Sequence, residues 1–411
     1  MRLWPWSNTG REAKSSTWET FRAYFAEMGL ATSGARVNQT TALQVTTAFA
    51  CARLIAEGLA QVPFKVYTQD GDVRKDALDH PLYWLLNKRP NDLQTSFEFR
   101  EQIALHLVFC FQAFVFINRS GDGRILELLP FAPNEVTIRQ NDDRTVSYTV
   151  RVADGKQQDI PAGAMWHIRG PSWTTATALN GIRLAREALG LALATEEHSA
   201  RMFSNGAKVG GILSTDNILN KEQLEMLRNS WKDAQGGNAN AFKTALLFGG
   251  LKYHPTAQKN DEAELLEQRR FQVEEICRFY RVMPIMVGAG DKTSTYASAE
   301  QMFIAHVTHT LMPWYRRIED SADVHLLGLE AVRKGYYTKF NANGLLRGSV
   351  QARGAFYTQL YNIGVINPNE IRALEEMNPY DGGEKYRVPL NMVDPTDETD
   401  PAAPGGADAK Q

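Results

Sequence analysis

The chain has 411 residues, 43% of them hydrophobic and 22% charged, the composition of a folded protein long enough for more than one structural lobe. Its formal charge of −2 excludes a globally basic surface that would hold nucleic acid or an anionic membrane tightly, so any contact with DNA must be local and loose. Cys51, Cys110 and Cys277 lie far apart without a CxxC pair. Each sits among apolar residues as a small buried hydrophobe, and neither a disulfide framework nor a zinc site is indicated.

The opening residues Met1 to Ser7 lack the apolar core of a secretory signal, so synthesis in the cytoplasm is expected. The longest apolar stretch, Ile103 to Ile117, is interrupted by His106 and Gln112. It falls short of the roughly 20 residues a bilayer requires and reads as a buried helix running into a strand, with no membrane partner.

From Thr46, the spacing of Phe49, Ala52, Ile55, Ala56 and Leu59 predicts a helix closing near Gly58, followed by a strand from Val62 to Tyr67. Asp79-His80-Pro81 begins a second helix through Leu86, and Ser96 with Glu98 starts a third. Strands are then expected at Ala113 to Asn118, Ile125 to Leu129, Val136 to Arg139, Val146 to Val152 and Ala164 to Ile168, separated by Gly-Asp, Pro-Asn and Asn-Asp-Asp turns. The fold class is α+β.

Residues 179–206 form an alanine-rich helix ending at Asn205-Gly206, whose small residues allow another helix to approach closely. A small β-α-β unit follows: Gly210 to Leu213, a helix near Lys221 to Ala234, and Ala245 to Tyr253. A second long helix, Asp261 to Arg281, spans about 32 Å at roughly 1.5 Å per residue. Its acidic start and basic end complement the helix dipole. A Gly, Ser and Thr-rich segment, Gly288 to Ser298, leads to a third long helix near Ala299 to Leu327. Pro313 within it removes a ladder hydrogen bond and predicts a kink. Two short helices lie within 349–377, and the tail from Asp394 has a disordered composition. No 20 to 50-residue repeat is present. Three helices this long exceed what one small core covers, and side-by-side packing in an oligomer suits them.

Enzyme chemistry finds no anchor. Ile285 to Thr293 superficially resembles a phosphate-binding loop, but Asp291 stands where glycine must precede Lys292, and the motif's first glycine is missing. A nucleotide-using DNA-processing enzyme built on Lys292 is the alternative that this departure disfavours. His306 and His309 could face one way on the third helix, yet no HExxH accompanies them, so no metal or cofactor is expected. Glu196-Glu197-His198 reads as a polar helix face. Trp166-His167 reads as one inward and one outward side chain of a strand. From composition alone the loop of Lys292, Thr293, Ser294, Thr295 and Tyr296 is an ordinary surface loop, although one cation among small polar residues also suits brief contact with a phosphate backbone.

The order of short motifs resembles the portal proteins of long-tailed phages and gene transfer agents over roughly residues 40 to 390. The residues that carry it are Ala52-Arg53-Leu54-Ile55-Ala56-Glu57, Asp79-His80-Pro81-Leu82-Tyr83, Pro90-Asn91 with Ser96 to Arg100, and His167-Ile168-Arg169-Gly170. Further along come Phe203 to Ala207, Glu267 to Ile276, Met283-Pro284, Thr295 to Gln301, Met312-Pro313-Trp314 and Leu345 to Gly348. Each string is weak alone; their shared order is specific. A different ring-forming connector is the other alternative, and most neck adaptors are much shorter.

The resemblance implies a non-enzymatic ring, usually of twelve subunits, at one capsid vertex of the virion around a double-stranded DNA channel, assembled in the host cytoplasm. It implies a flexible segment at 1–36, a wing at 37–178, stem helices at 179–206 and 261–282, a clip at 207–260 and a tunnel loop at 283–299. A kinked helix returning to the wing would span 300–344, a crown 345–393 and a disordered tail 394–411. The tunnel-loop residues would be Gly288, Gly290, Lys292, Thr293, Ser294, Thr295 and Tyr296, with the kink at Pro313. The implied partners are a terminase motor, major capsid or scaffold protein and a head-tail adaptor.

Overall fold

The computed structural model describes residues 29–71, 73–143, 145–151, 155–204, 211–215, 220–235, 251–255, 261–289, 296–342, 350–375 and 377–386. In chain order the elements of the first part are α1 (Gln39–Gln44), α2 (Thr46–Ala60), β1 (Phe64–Asp70), β2 (Val73–Asp76), α3 (Pro81–Asn87), α4 (Ser96–Cys110), β3 (Gln112–Arg119), β4 (Ile125–Phe131), β5 (Val136–Gln140), β6 (Val146–Arg151), β7 (Gln157–Ile160) and β8 (Met165–Arg169). Then follow α5 (Gly181–Leu184), α6 (Arg186–Ser204), β9 (Gly211–Ser214), α7 (Lys221–Gln235), β10 (Lys252–Pro255), α8 (Asp261–Tyr280), α9 (Tyr296–His306), α10 (Met312–Ala322), α11 (Gly328–Arg333) and β11 (Tyr336–Phe340). Residues 1–341 form one compact unit and 342–411 a second, which holds α12 (Val350–Asn362) and α13 (Pro368–Leu374). Within the second unit, Asn367 caps α13 in a reciprocal box with Glu370, and Pro368 supplies the first turn.

The centre of the first unit is an antiparallel sheet of order β4-β3-β8. On one of its faces Phe114 and Met165 pack with Val136, Tyr148, Val150 and Ile160 from a second sheet of order β5-β6-β7. Near the opposite side, Trp166 donates its indole N–H to Ser321 of α10 at 2.9 Å. Both members of the Trp166-His167 pair are covered: Trp166 is 1% and His167 4% exposed. The pair does alternate faces, but neither side chain reaches solvent, because this antiparallel sheet is sandwiched and has no solvent face there. His167 keeps a polar contact through Tyr148 Oη at 3.2 Å and stacks on Phe114.

A third sheet, β11-β1-β2, joins residues from opposite ends of the unit, with Phe64 opposite Phe340 and Tyr67 opposite Tyr337. The Phe64 and Phe340 rings stack at 4.2 Å. Gly335 makes the entry to β11 possible: its φ is +89°, and a Cβ there would lie 2.4 Å from the Gln69 carbonyl oxygen. Arg100 on α4 donates to the Ala60 carbonyl at the end of α2 and the Leu86 carbonyl at the end of α3. One guanidinium thus satisfies the open carbonyls of two helix ends.

The long helices appear where expected, with altered ends. The first is split: Asn180 caps the short α5, and α6 starts after Ala185. Gln272 of α8 donates to the Ala188 carbonyl of α6 and ties the two together. Residues 29–36, read above as part of a flexible segment, instead fold back with Leu30 bridging Arg36. This turn packs on α6 at Gly190, where a Cβ would come within 2.2 Å of the Ala31 methyl. Residues 1–28 lie outside the described residues. The small module has β9 and β10 paired antiparallel, with α7 between them in sequence. Residues 245–250 of the expected second strand lie outside the description, and β10 begins at Lys252.

Candidate functional site

Helix α8 ends in a Schellman turn: Val282 N donates to Cys277 O and Arg281 N to Arg278 O. The left-handed residue is Arg281, with φ of +57°, where glycine is the usual occupant. A 3-10 turn at Pro284–Val287 follows, capped by Gly288 in the left-handed region with φ of +78°, where a Cβ would meet nothing within 4 Å. Gly290, Lys292, Thr293, Ser294 and Thr295 lie outside the described residues, and Tyr296 is the first residue of α9. The described chain thus brackets the expected tunnel loop between α8 and α9.

Beyond α9 the helix changes hydrogen-bond pattern. Val307–Leu311 is a π turn in which Met312 N reaches back to Val307 O. Proline has no N–H, and its ring would strike the carbonyl four residues earlier. A widened turn placed just before Pro313 accommodates that clash. The C-terminal end of this turn is fastened to α2. Leu311 packs so closely on Gly58 that a Cβ there would lie 2.9 Å from a Leu311 methyl, and Tyr315 Oη donates to Gly58 O at 2.5 Å. Within the turn, buried Thr310 donates to Arg281 O at 2.7 Å. The end of α8 and the helix carrying Pro313 are thereby joined.

These elements enclose a cavity of about 180 Å3 lined by Ile55, Phe111, Tyr280, Arg281, Pro313, Trp314 and Arg317, among others. Phe111 ends α4 in the left-handed region, with φ of +56°. It stacks on Phe279 at 5.9 Å. The two non-glycine residues with positive φ among the described residues therefore line one cavity. Such conformations cost on the order of 1–3 kcal/mol each and persist only where the surroundings enforce them. This junction of wing helix, stem helix and Pro313 helix was not legible from sequence, since no glycine marks Phe111 or Arg281. Its lining comes from separated segments.

The remaining candidates part company. His306 is buried and His309 exposed, because the π turn begins between them and changes their relative rotation. Among the described residues no group of His, Cys, Asp and Glu could hold a metal ion. Glu196, Glu197 and His198 all face solvent, with Glu197 paired to Arg201. The three cysteines are buried and free, but Cys51 and Cys277, 226 residues apart, bring their sulfurs to 3.7 Å. Among the described residues, no helix is long and apolar enough to cross a membrane.

An α+β lobe, two long tied helices, a small inserted module and a third helix widened by π turns define a portal-type architecture. The family model for phage portal proteins matches residues 46–376, and the chain belongs to that family. It is 31% identical to a probable portal protein of Streptomyces phage phiC31, covering 95% of this chain and 88% of that one. It is 30% identical to the portal protein of Enterobacteria phage HK97, covering 88% and 85%. In fold it is similar to a chain in the neck of a native gene transfer agent particle computed with C12 symmetry, with a TM-score of 0.55, 21% identity, and coverage of 88% and 100%.

Proposed function

We propose that the chain assembles into a ring of twelve at one capsid vertex of the virion, and that double-stranded DNA passes through its centre during packaging and ejection. The observation that carries the ring is the bare outer surface of the paired helices. Leu191 on α6 is 38% exposed, and Leu266 and Phe271 on α8 are 65% and 59% exposed. A heterologous, head-to-tail contact between copies buries such faces and closes a ring when the rotation permits.

The near-neutral chain suits a conduit. Each tight cationic contact adds to a salt-dependent hold on phosphate, and a sliding duplex needs few of them. Residues 283–299 would form the tunnel loop, with one Lys292 per subunit as a ring of soft contacts and the small residues Gly288, Gly290, Thr293, Ser294 and Thr295 letting the loop follow the groove beside Tyr296. Residues 207–260 would be the clip and 345–393 the crown. The protein is read as structural. Packaging energy would come from a separate terminase motor, with capsid or scaffold protein and a head-tail adaptor as further partners, and assembly would take place in the host cytoplasm.

The test is the double substitution Lys292→Ala with Tyr296→Ala in particles. Reduced packaging yield or premature genome loss is expected; unchanged values for both would overturn the tunnel-loop role.

A further inference from the structure

We propose that Cys51 and Cys277 form an oxidation-dependent disulfide that fastens stem helix α8 to wing helix α2. Both side chains are 0% exposed, and their sulfurs face each other across the helix contact at 3.7 Å. A disulfide needs a separation of about 2.05 Å, so a closure of roughly 2 Å, shared between two side-chain rotations and a slight helix approach, completes the bond. Cys110 is differently placed: Gln39 donates to its sulfur at 3.3 Å, and burial pushes its thiol up to about 11.

The cavity at the junction lies within one helical turn of each cysteine but is lined by neither, so oxidant reaches the sulfurs through opening of this contact. Ile55 lies one helical turn beyond Cys51 on α2, and Arg281 one turn beyond Cys277 at the end of α8; both line it. The hydrogen bond shared by the two sulfurs holds Cys277 below its ordinary value and, with burial, pushes Cys51 up. The thiolate is the form that reacts with a peroxide, with Cys277 as the attacking sulfur. With a hydroperoxide as oxidant, the Cys277 thiolate attacks one peroxide oxygen, the O–O bond breaks, and the departing hydroxide takes a proton to leave as water. Cys277 is then a sulfenic acid. Cys51 loses its proton and attacks that sulfur, forming the S–S bond and expelling the sulfenic oxygen as a second water. Two electrons and two protons pass from the thiols to one peroxide.

The cross-link closes a very long loop, for which the chain-entropy argument gives the largest effect. It would hold the junction around Pro313 and Thr310, where the stem and the third helix are tied, against mechanical opening. Timing of the lock to the passage of particles from a reducing cell to an oxidising exterior rests on the proposed virion role. The chemistry itself does not, and the two can fail separately.

The experiment treats purified full-length protein with hydrogen peroxide or with reductant, then alkylates it under denaturing conditions and maps the peptides by mass spectrometry. After reduction all three cysteines should be alkylated. After peroxide, only Cys110 should be, with the Cys51 and Cys277 peptides joined and lighter by two hydrogens. The oxidised protein should melt higher by roughly 5 °C, a shift absent from Cys277→Ser. Recovery of all three thiols after peroxide, or of Cys277 as sulfinic acid beside a free Cys51, would overturn the proposal, and neither outcome depends on the variant folding.

Discussion

Arg281 occupies a backbone conformation that costs an L-residue roughly 1–2 kcal/mol, and its own carbonyl accepts the Thr310 hydroxyl. Replacing it with glycine should keep the Schellman turn and raise stability by about 1 kcal/mol, read as a higher thermal midpoint. Arg100 should behave in the opposite way. Burial holds its guanidinium down to about 10, yet it is committed to the Ala60 and Leu86 carbonyls. Arg100→Met should cost about 3 kcal/mol by leaving those acceptors unpaired, measured by denaturant unfolding. His167 sets a pH response. Burial, with Arg169 and His325 nearby, pushes it down to about 3. The unfolded chain then binds more protons than the folded one between the ordinary histidine value and that depressed value. Stability from this group is complete above about pH 6.5 and is lost as pH falls, by about 2 kcal/mol at pH 5. Unfolding midpoints across that range should flatten in His167→Asn.

At the scale of elements, the third helix is fixed to the wing by two carboxylates on the edge of β11. Glu319 accepts Phe340 N at 2.8 Å, and Asp323 accepts both the N–H and the hydroxyl of Thr338 at 2.7 Å. Burial raises both carboxyl groups above their ordinary values. The folded state holds these protons more tightly, so their contribution falls as pH rises through the raised values and is lowest at neutral pH. Glu319→Gln, which keeps the acceptor and removes the buried charge, should therefore be at least as stable as the parent at pH 7, whereas Glu319→Ala should lose about 1–3 kcal/mol. Thermal melts of the pair check this. The π turn belongs to the same scale, because Leu311 at its end and Tyr315 one turn later both seat on Gly58 and anchor its C-terminal end. Pro313→Ala should fold with little change, and deleting Thr308, which leaves the Met312 N–H to Val307 O contact as an ordinary i→i−4 bond, should convert the π turn to an α turn while keeping Tyr315 and Glu319 in register, seen as soluble protein with an altered thermal midpoint.

The long helices were legible because amphipathic spacing and dipole-matched ends are properties of a segment by itself. The edge strands were not. β2 is exposed and charged, and β11 has five residues whose pairing with β1 depends on chain more than 260 residues away. Pro313 predicted a kink in the third helix, but the π turns at Val307–Leu311 and Asp323–Leu327, through which the chain stays helical, had no signal in the sequence. The motifs that carried the family resemblance prove to be joints of the wing: Arg100 caps two helices, and Asn91 donates to Leu128 O beside the Pro90 contact to β4.

At the scale of the molecule, one chain leaves Leu266 and Phe271 uncovered on α8, a face that a neighbouring copy would cover in the proposed ring. The same ring geometry is what gives residues 283–299 a channel to line. Electron microscopy of the purified protein with mass determination in solution, without nucleotide, tests this most directly. Rings of twelve with a central opening wide enough for a DNA duplex are the predicted result; a protein that remains monomeric or dimeric at every concentration, including alongside its capsid protein, would contradict it.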